Sequence, residues 1–364
     1  MIARKHSPKA LTTLALGIVL VAALLVSIFT TTLTHAASPS TVVGNPRVIN
    51  FSHNLSDASL AKAGLTHWTS SFTYQGKTYK FSMVGTNPAN GSATTTVPVT
   101  IVPLKLTFST GKVFDGTQKV QQTAGSPIFK TGQFKSGNTQ YGDAIQRAEF
   151  WNSVSTKSPN YHVLLGTPTI HATVNVTVPA KYGSVQKDKS GALIGLADVN
   201  WLDNLLQSQL NSLHFTQNML PVFLSDNVYL YQGTVSQCCI GGYHSATNSM
   251  QTYIWTTNSD AGILGGFGQD VSAFSHELSE WMNDPFVSNA VPSWSVPSQP
   301  QYGCSSVLEV GDPLVGVLFS VPGSSLHLQD EAFFSWFARQ KPSIAINHLY
   351  TYLGTFTTYS PPCK

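Results

Sequence analysis

Ser272-Ala273-Phe274-Ser275-His276-Glu277-Leu278-Ser279-Glu280-Trp281-Met282-Asn283-Asp284-Pro285 is preceded by Asp270 and Val271. Across it Val271, Phe274, Leu278, Trp281 and Met282 recur at spacings of three and four. That period predicts a helix with one buried face. Asp270 is the expected N-cap. Pro285 closes the helix, because it disfavours helical geometry at Asp284 and has no N–H to donate. His276 and Glu280 stand four residues apart, so both project from one face a turn apart. Glu277 lies about a quarter turn away. The layout is that of the H-E-x-x-H metallopeptidase helix with glutamate in the second histidine position.

The chemistry explains the spacing. A catalytic zinc ion needs rigid protein ligands on one side and an open position for water on the other. His276 and Glu280 on a buried helix supply the rigidity, and Glu277 is placed to take a proton from the activated water as general base. The chain has only five glutamates, Glu149, Glu277, Glu280, Glu309 and Glu331, beside eleven histidines. Chance would produce the pattern roughly 0.002 times at this composition, which favours a site over ordinary surface carboxylates.

A third ligand is required. Leu308-Glu309-Val310-Gly311-Asp312-Pro313 offers two, Glu309 at 29 residues beyond Glu280 and Asp312 close behind it. Either is expected to bind the metal, or Asp312 to orient a ligand from outside. His244, in Cys238-Cys239-Ile240-Gly241-Gly242-Tyr243-His244, is a candidate to line the cleft and hydrogen-bond a developing oxyanion. A lone histidine also serves in purely structural roles. No Gly-x-Ser-x-Gly elbow supports a Ser-His-Asp triad.

His276-Glu277-Leu278-Ser279-Glu280, then Asp284-Pro285, then Glu309-Val310-Gly311-Asp312, resembles the H-E-L-x-E…D/N-P…E-I-G-D pattern of the exordium, or phosphate-induced, protein family. Cys238 to His244 is similar to that family's Cys-Gly-x-His segment. The resemblance spans roughly residues 140–340 and implies a zincin-like metallopeptidase core with His276, Glu280 and Glu309 as ligands. The plant members usually carry a cysteine shortly after the Gly-Asp. Here Pro313-Leu314 follows it and Cys304 lies upstream, a departure that bears on the family's disulfide and not on the metal ligands.

Residues 1–36 are a separate matter. Arg4, Lys5 and Lys9 precede an apolar run from Leu11 to Phe29, and Thr34-His35-Ala36-Ala37 supplies small residues for cleavage after Ala36. That is the pattern of a secretory signal peptide. The run is also long enough to serve as an uncleaved anchor. Without these three basic groups, the 20 Lys and Arg of the whole chain fall to 17, against 17 Asp and Glu. A neutral chain with few charges has no electrostatic footprint for nucleic acid. The four cysteines, Cys238, Cys239, Cys304 and Cys363, are expected to form disulfides in an exported protein. An adjacent-residue bridge is sterically awkward, so Cys238 and Cys239 are each expected to pair with Cys304 or Cys363.

Along the chain, residues 37–65 read as an exposed leader and 66–130 as β-rich, with a hairpin around Gly76-Lys77. Residues 131–364 read as the metal-binding part, in one domain with 66–130 or beside it. Tyr141 to Val154, Asn200 to Leu213 and Gln329 to Arg339 carry helical spacing, while Tyr161–Leu165, Thr167–Val178, Val222–Tyr231 and Thr252–Thr256 read as strands. This order predicts an α+β fold with a mixed or antiparallel sheet packed against a few helices, zincin-like in plan. The expected protein is a monomeric, secreted zinc metallopeptidase acting on a peptide or protein substrate, with Mn2+ or Ca2+ as other ions such a site takes. The alternative is a non-catalytic extracellular binding or signalling protein with a structural metal, and a third is the same chain held at the cell surface by its N-terminal segment.

Overall fold

The computed structural model describes residues 56–266, 268–296 and 304–363. The expected signal peptide and most of the 37–65 leader lie outside them. At the end of that leader Leu65 is buried rather than exposed. No helix among the described residues is long and apolar enough to cross a membrane.

The elements that position the site are β1 (His67–Tyr74), β2 (Lys77–Val84), β3 (Val99–Phe108), α1 (Tyr141–Glu149), β4 (Val174–Val178), α2 (Val199–Ser212), β5 (Leu220–Asp226), β6 (Gly242–Ala246), β7 (Thr252–Asn258) and α3 (Ser272–Asn283). The fold is α+β with mixed sheets, as the order of patterns predicts. In the central sheet β4, β3, β5 and β7 are neighbours in that order and all parallel, and β6 adds to β7 as an antiparallel edge. β1 and β2 form the expected hairpin, with Gln75 and Gly76 at φ 48° and 79° making its turn. Two successive positive-φ residues suit the right-handed twist of the flanking strands.

Strand alternation gives this sheet two apolar faces. Val222, Leu224 and Ile254 join α1, α3 and β2 on one face, while Phe223, Tyr253 and Trp255 join Val199, Leu202, Leu206 and Leu210 of α2 on the other. α3 buries Phe274, Leu278, Trp281 and Met282, together with Val271 just before it, as the period predicts. Its polar residues are buried as well, so the helix has no solvated face in its last nine residues.

Several expectations are corrected. Asp270 is not the N-cap. Its φ is 40° and its carboxylate is occupied by Val271 N–H and by the backbone N–H and ring of His327. The Tyr141–Val154 helix breaks at Phe150 into two pieces. Val222–Tyr231 is two strands in different sheets, because Asn227 at φ 53° turns the chain between them. Gln329–Arg339 holds a short strand and one four-residue turn, since the side chains at its head serve buried polar contacts rather than a helical stripe. Cys238 pairs with Cys239, and Cys304 with Cys363. The first pair is buried with Ile194, Leu196 and Tyr229, whereas Cys304 sits on a strand pairing with Ala290–Ser295. Cys363 Sγ lies 3.0 Å from the Trp294 carbonyl of that strand. The packing therefore keeps the two pairs in separate surroundings.

Glu149 ends α1 as a buried carboxyl. It accepts the Phe334 N–H through Oε1, and among the described residues Oε2 has no hydrogen-bond partner. Burial pushes it from 4.5 up to about 8, against the pull of the Phe334 N–H and Asn283. Between those values the folded state keeps a proton that the unfolded chain has lost, so stability falls as pH rises through the window and levels off above it. Glu149→Gln imitates the protonated form. It is expected to stabilise the protein near pH 7 by roughly 3 kcal/mol and to flatten the slope of melting temperature against pH. Thermal melts from about pH 5 to 8 check this, and parallel slopes in both proteins would count against it.

Candidate metal centre

Three segments converge on the polar side of α3. Alternation along β6 sends Tyr243 into the apolar cluster beside Trp255 and turns Gly242 and His244 toward α3. Gly242 is needed for that approach, because a Cβ there would stand 2.6 Å from Glu277 Cγ. The turn at 309–314 comes in from the opposite side. A Cβ on Gly311 would stand 2.5 Å from His276 Nδ1, so only glycine lets this turn close over the ring.

Once closed, the turn anchors a ligand. Gly311 N–H and Asp312 N–H donate to Glu280 Oε1 at 3.1 and 3.2 Å, leaving Oε2 to face the histidines. Glu280 Oε2 is 3.2 Å from His276 Nε2 and 3.6 Å from His244 Nδ1. Asp312 Oδ1 is 3.5 Å from His276 Nε2. The Glu277 oxygens lie 3.3 Å from His244 Nδ1 and 3.8 Å from His276 Nε2. Two groups of donors thus close within 4.8 Å: His276, Glu280 and Asp312, and His244, Glu277 and Glu280. Donors bound at about 2.0–2.2 Å to a tetrahedral ion stand about 3.3–3.6 Å apart, close to the 3.2 and 3.5 Å that separate His276 Nε2 from Glu280 and Asp312.

Of the residues the sequence singles out, His276, Glu277, Glu280, Asp312 and His244 come together. Glu309 lies outside both groups. It is buried nearby, and among the described residues its Oε2 has no hydrogen-bond partner. Sequence reasoning missed Gln329, whose amide nitrogen lies 2.8 Å from His276 Nδ1 and donates to the Gly311 carbonyl at 2.9 Å. An amide nitrogen only donates, so Nδ1 accepts here and Nε2 carries the ring proton; a metal on Nε2 requires the Gln329 amide to turn so that its oxygen accepts Nδ1–H. It also missed Glu331, which accepts from Tyr141 OH at 2.7 Å. Neither carries a spacing signal relative to α3.

The electrostatics are unbalanced. Glu277, Glu280, Asp284, Glu309, Asp312 and Glu331 are 0–7% exposed, and among the described residues no Lys or Arg forms an ion pair with any of them. Burial, then the charges of Glu280 and Asp312, pushes Glu309 well above the carboxylate range. Burial and Glu280 push Asp312 to about 7, partly offset by His276. Glu277 is raised by burial against the pull of His276 and His244. Burial would raise Glu280 too, but the His276 ring and the Gly311 N–H hold it below the ordinary value. Desolvation opposes charge on His276, yet Glu280 and Glu277 raise it well above the usual imidazole value. Buried charge at this density calls for protons or a cation.

Comparison with protein-family models, curated proteins and solved structures gives no match to the chain.

Proposed function

We propose that the protein is an exported metallopeptidase with a zincin-like core, related in its site to exordium-type proteins, in which His276, Glu280 and Asp312 hold a divalent ion. The observation behind this is the cluster of six buried carboxyl groups around two histidines with, among the described residues, no Lys or Arg ion pair to any of them. A donor set of this kind fits zinc, and its carboxylates also suit harder ions such as Mn2+ or Ca2+. When bound, such an ion polarises a peptide carbonyl and acidifies a water molecule.

The chain's own groups do the rest. Glu277, raised by burial, is poised to accept a proton from water and return it to the leaving amine. Gln329 fixes the His276 ring, and the Gly311 and Asp312 amides fix Glu280. His244 faces Glu277 at 3.3 Å, within reach of the same proton. Glu309, buried nearby, is the rival third ligand.

One observation favours the second reading, a binding or signalling protein with a structural metal: Glu277 is only 5% exposed. The deciding experiment uses protein from culture supernatant, with an N-terminus expected at Ala37. It should cleave a broad peptide library, lose that activity to chelator and regain it with zinc. Full metal occupancy without cleavage would leave the structural reading standing. An N-terminus at Met1 in a membrane fraction would replace secretion with anchoring.

A further inference from the structure

His244 carries more than an assisting role. Its Nε2 lies 3.2 Å from the Asp284 carbonyl oxygen, which has only lone pairs to offer. Nε2 therefore bears the ring proton and donates it there. That fixes the opposite nitrogen. In the neutral ring Nδ1 presents a lone pair to Glu277 Oε2 at 3.3 Å and Glu280 Oε2 at 3.6 Å. A lone pair aimed at two buried carboxylates is repulsive unless a proton or a metal cation stands among the three, and the three donor atoms close within 4.8 Å, as a metal site requires. Both carboxylates also reach His276, so they lie between the two rings.

We infer that the centre takes two divalent cations, the second held by His244 Nδ1, Glu277 and Glu280, with the Glu280 carboxylate shared between the positions. The inference rests on the metal reading above and changes one part of it. Glu277 becomes a ligand of the second ion, and water held between two ions about 3.5–4 Å apart is acidified from both sides. The abundance of carboxyl groups then has a cause, since two divalent ions need twice the negative charge of one. The spare Oε2 of Glu309 and the low exposure of the whole group fit the same demand.

Mn2+ is the probe, because it suits carboxylate-rich sites and is paramagnetic. The full exported chain is stripped with chelator, reloaded with Mn2+, freed of excess and measured by elemental analysis and electron paramagnetic resonance. Wild type is expected to hold two ions per chain with an exchange-broadened spectrum. His244→Ala is expected to hold one, with the six-line spectrum of an isolated ion. One isolated ion in wild type overturns the second position while sparing the single-metal reading. No bound ion in wild type overturns both. If His244→Ala does not fold, the wild-type spectrum alone still decides, because two ions at this spacing cannot give an isolated signal.

Discussion

His276→Ala and Glu280→Ala are expected to lose metal and thermal stability together. A bound ion stabilises only the folded chain, by about 4 kcal/mol when free metal is a thousandfold above its dissociation constant. In a protein of this size that corresponds to roughly 10 °C in melting temperature. The difference should disappear in chelator, where neither protein has an ion to lose. Glu280→Ala also leaves the Gly311 and Asp312 N–H groups without their acceptor, so some of its loss should persist in chelator. Asp312→Ala should behave like His276→Ala, and Glu309→Ala should keep the His276-side ion. The reverse pattern between those two would make Glu309 the third ligand. Full occupancy in both the His276 and Glu280 variants would remove these residues from the ligand set.

Glu277→Gln is expected to abolish hydrolysis with little change in fold. The amide has nearly the size of the carboxylate but neither accepts a proton nor carries charge. Loss of general-base catalysis typically lowers turnover 10²–10⁴-fold. The ion between His276, Glu280 and Asp312 should remain, and any fall in melting temperature should come from the second position alone and disappear in chelator. Peptide-library cleavage by the two proteins at matched occupancy of that ion reads the effect. Equal cleavage would show that Glu277 is misassigned and would make His244 the next residue to replace.

What the sequence by itself determined lies within single helical turns. The period of Val271, Phe274, Leu278, Trp281 and Met282 places α3, Pro285 ends it, and the one-turn separation of His276 and Glu280 puts both on one side. Local geometry fixes those relations whatever the rest of the chain does. The Asp312 segment was legible for a similar reason, since a short acidic turn after the helix is a recognisable pattern. Tertiary structure decided the rest. Glu309 and Asp312 are three residues apart, and only the closure of the Gly311 turn over His276 brings Asp312 against the ring and leaves Glu309 outside. Gln329 reaches His276 across 53 residues. His244 meets Glu277 because β6 pairs antiparallel with β7 in a register that turns its even-numbered residues toward α3. A shift of one residue would have pointed Tyr243 there instead. Cysteine pairing was equally hidden, since it depends on which strands lie side by side. Strand register, turn closure and cysteine proximity arise from contacts between distant segments, and no local period encodes them.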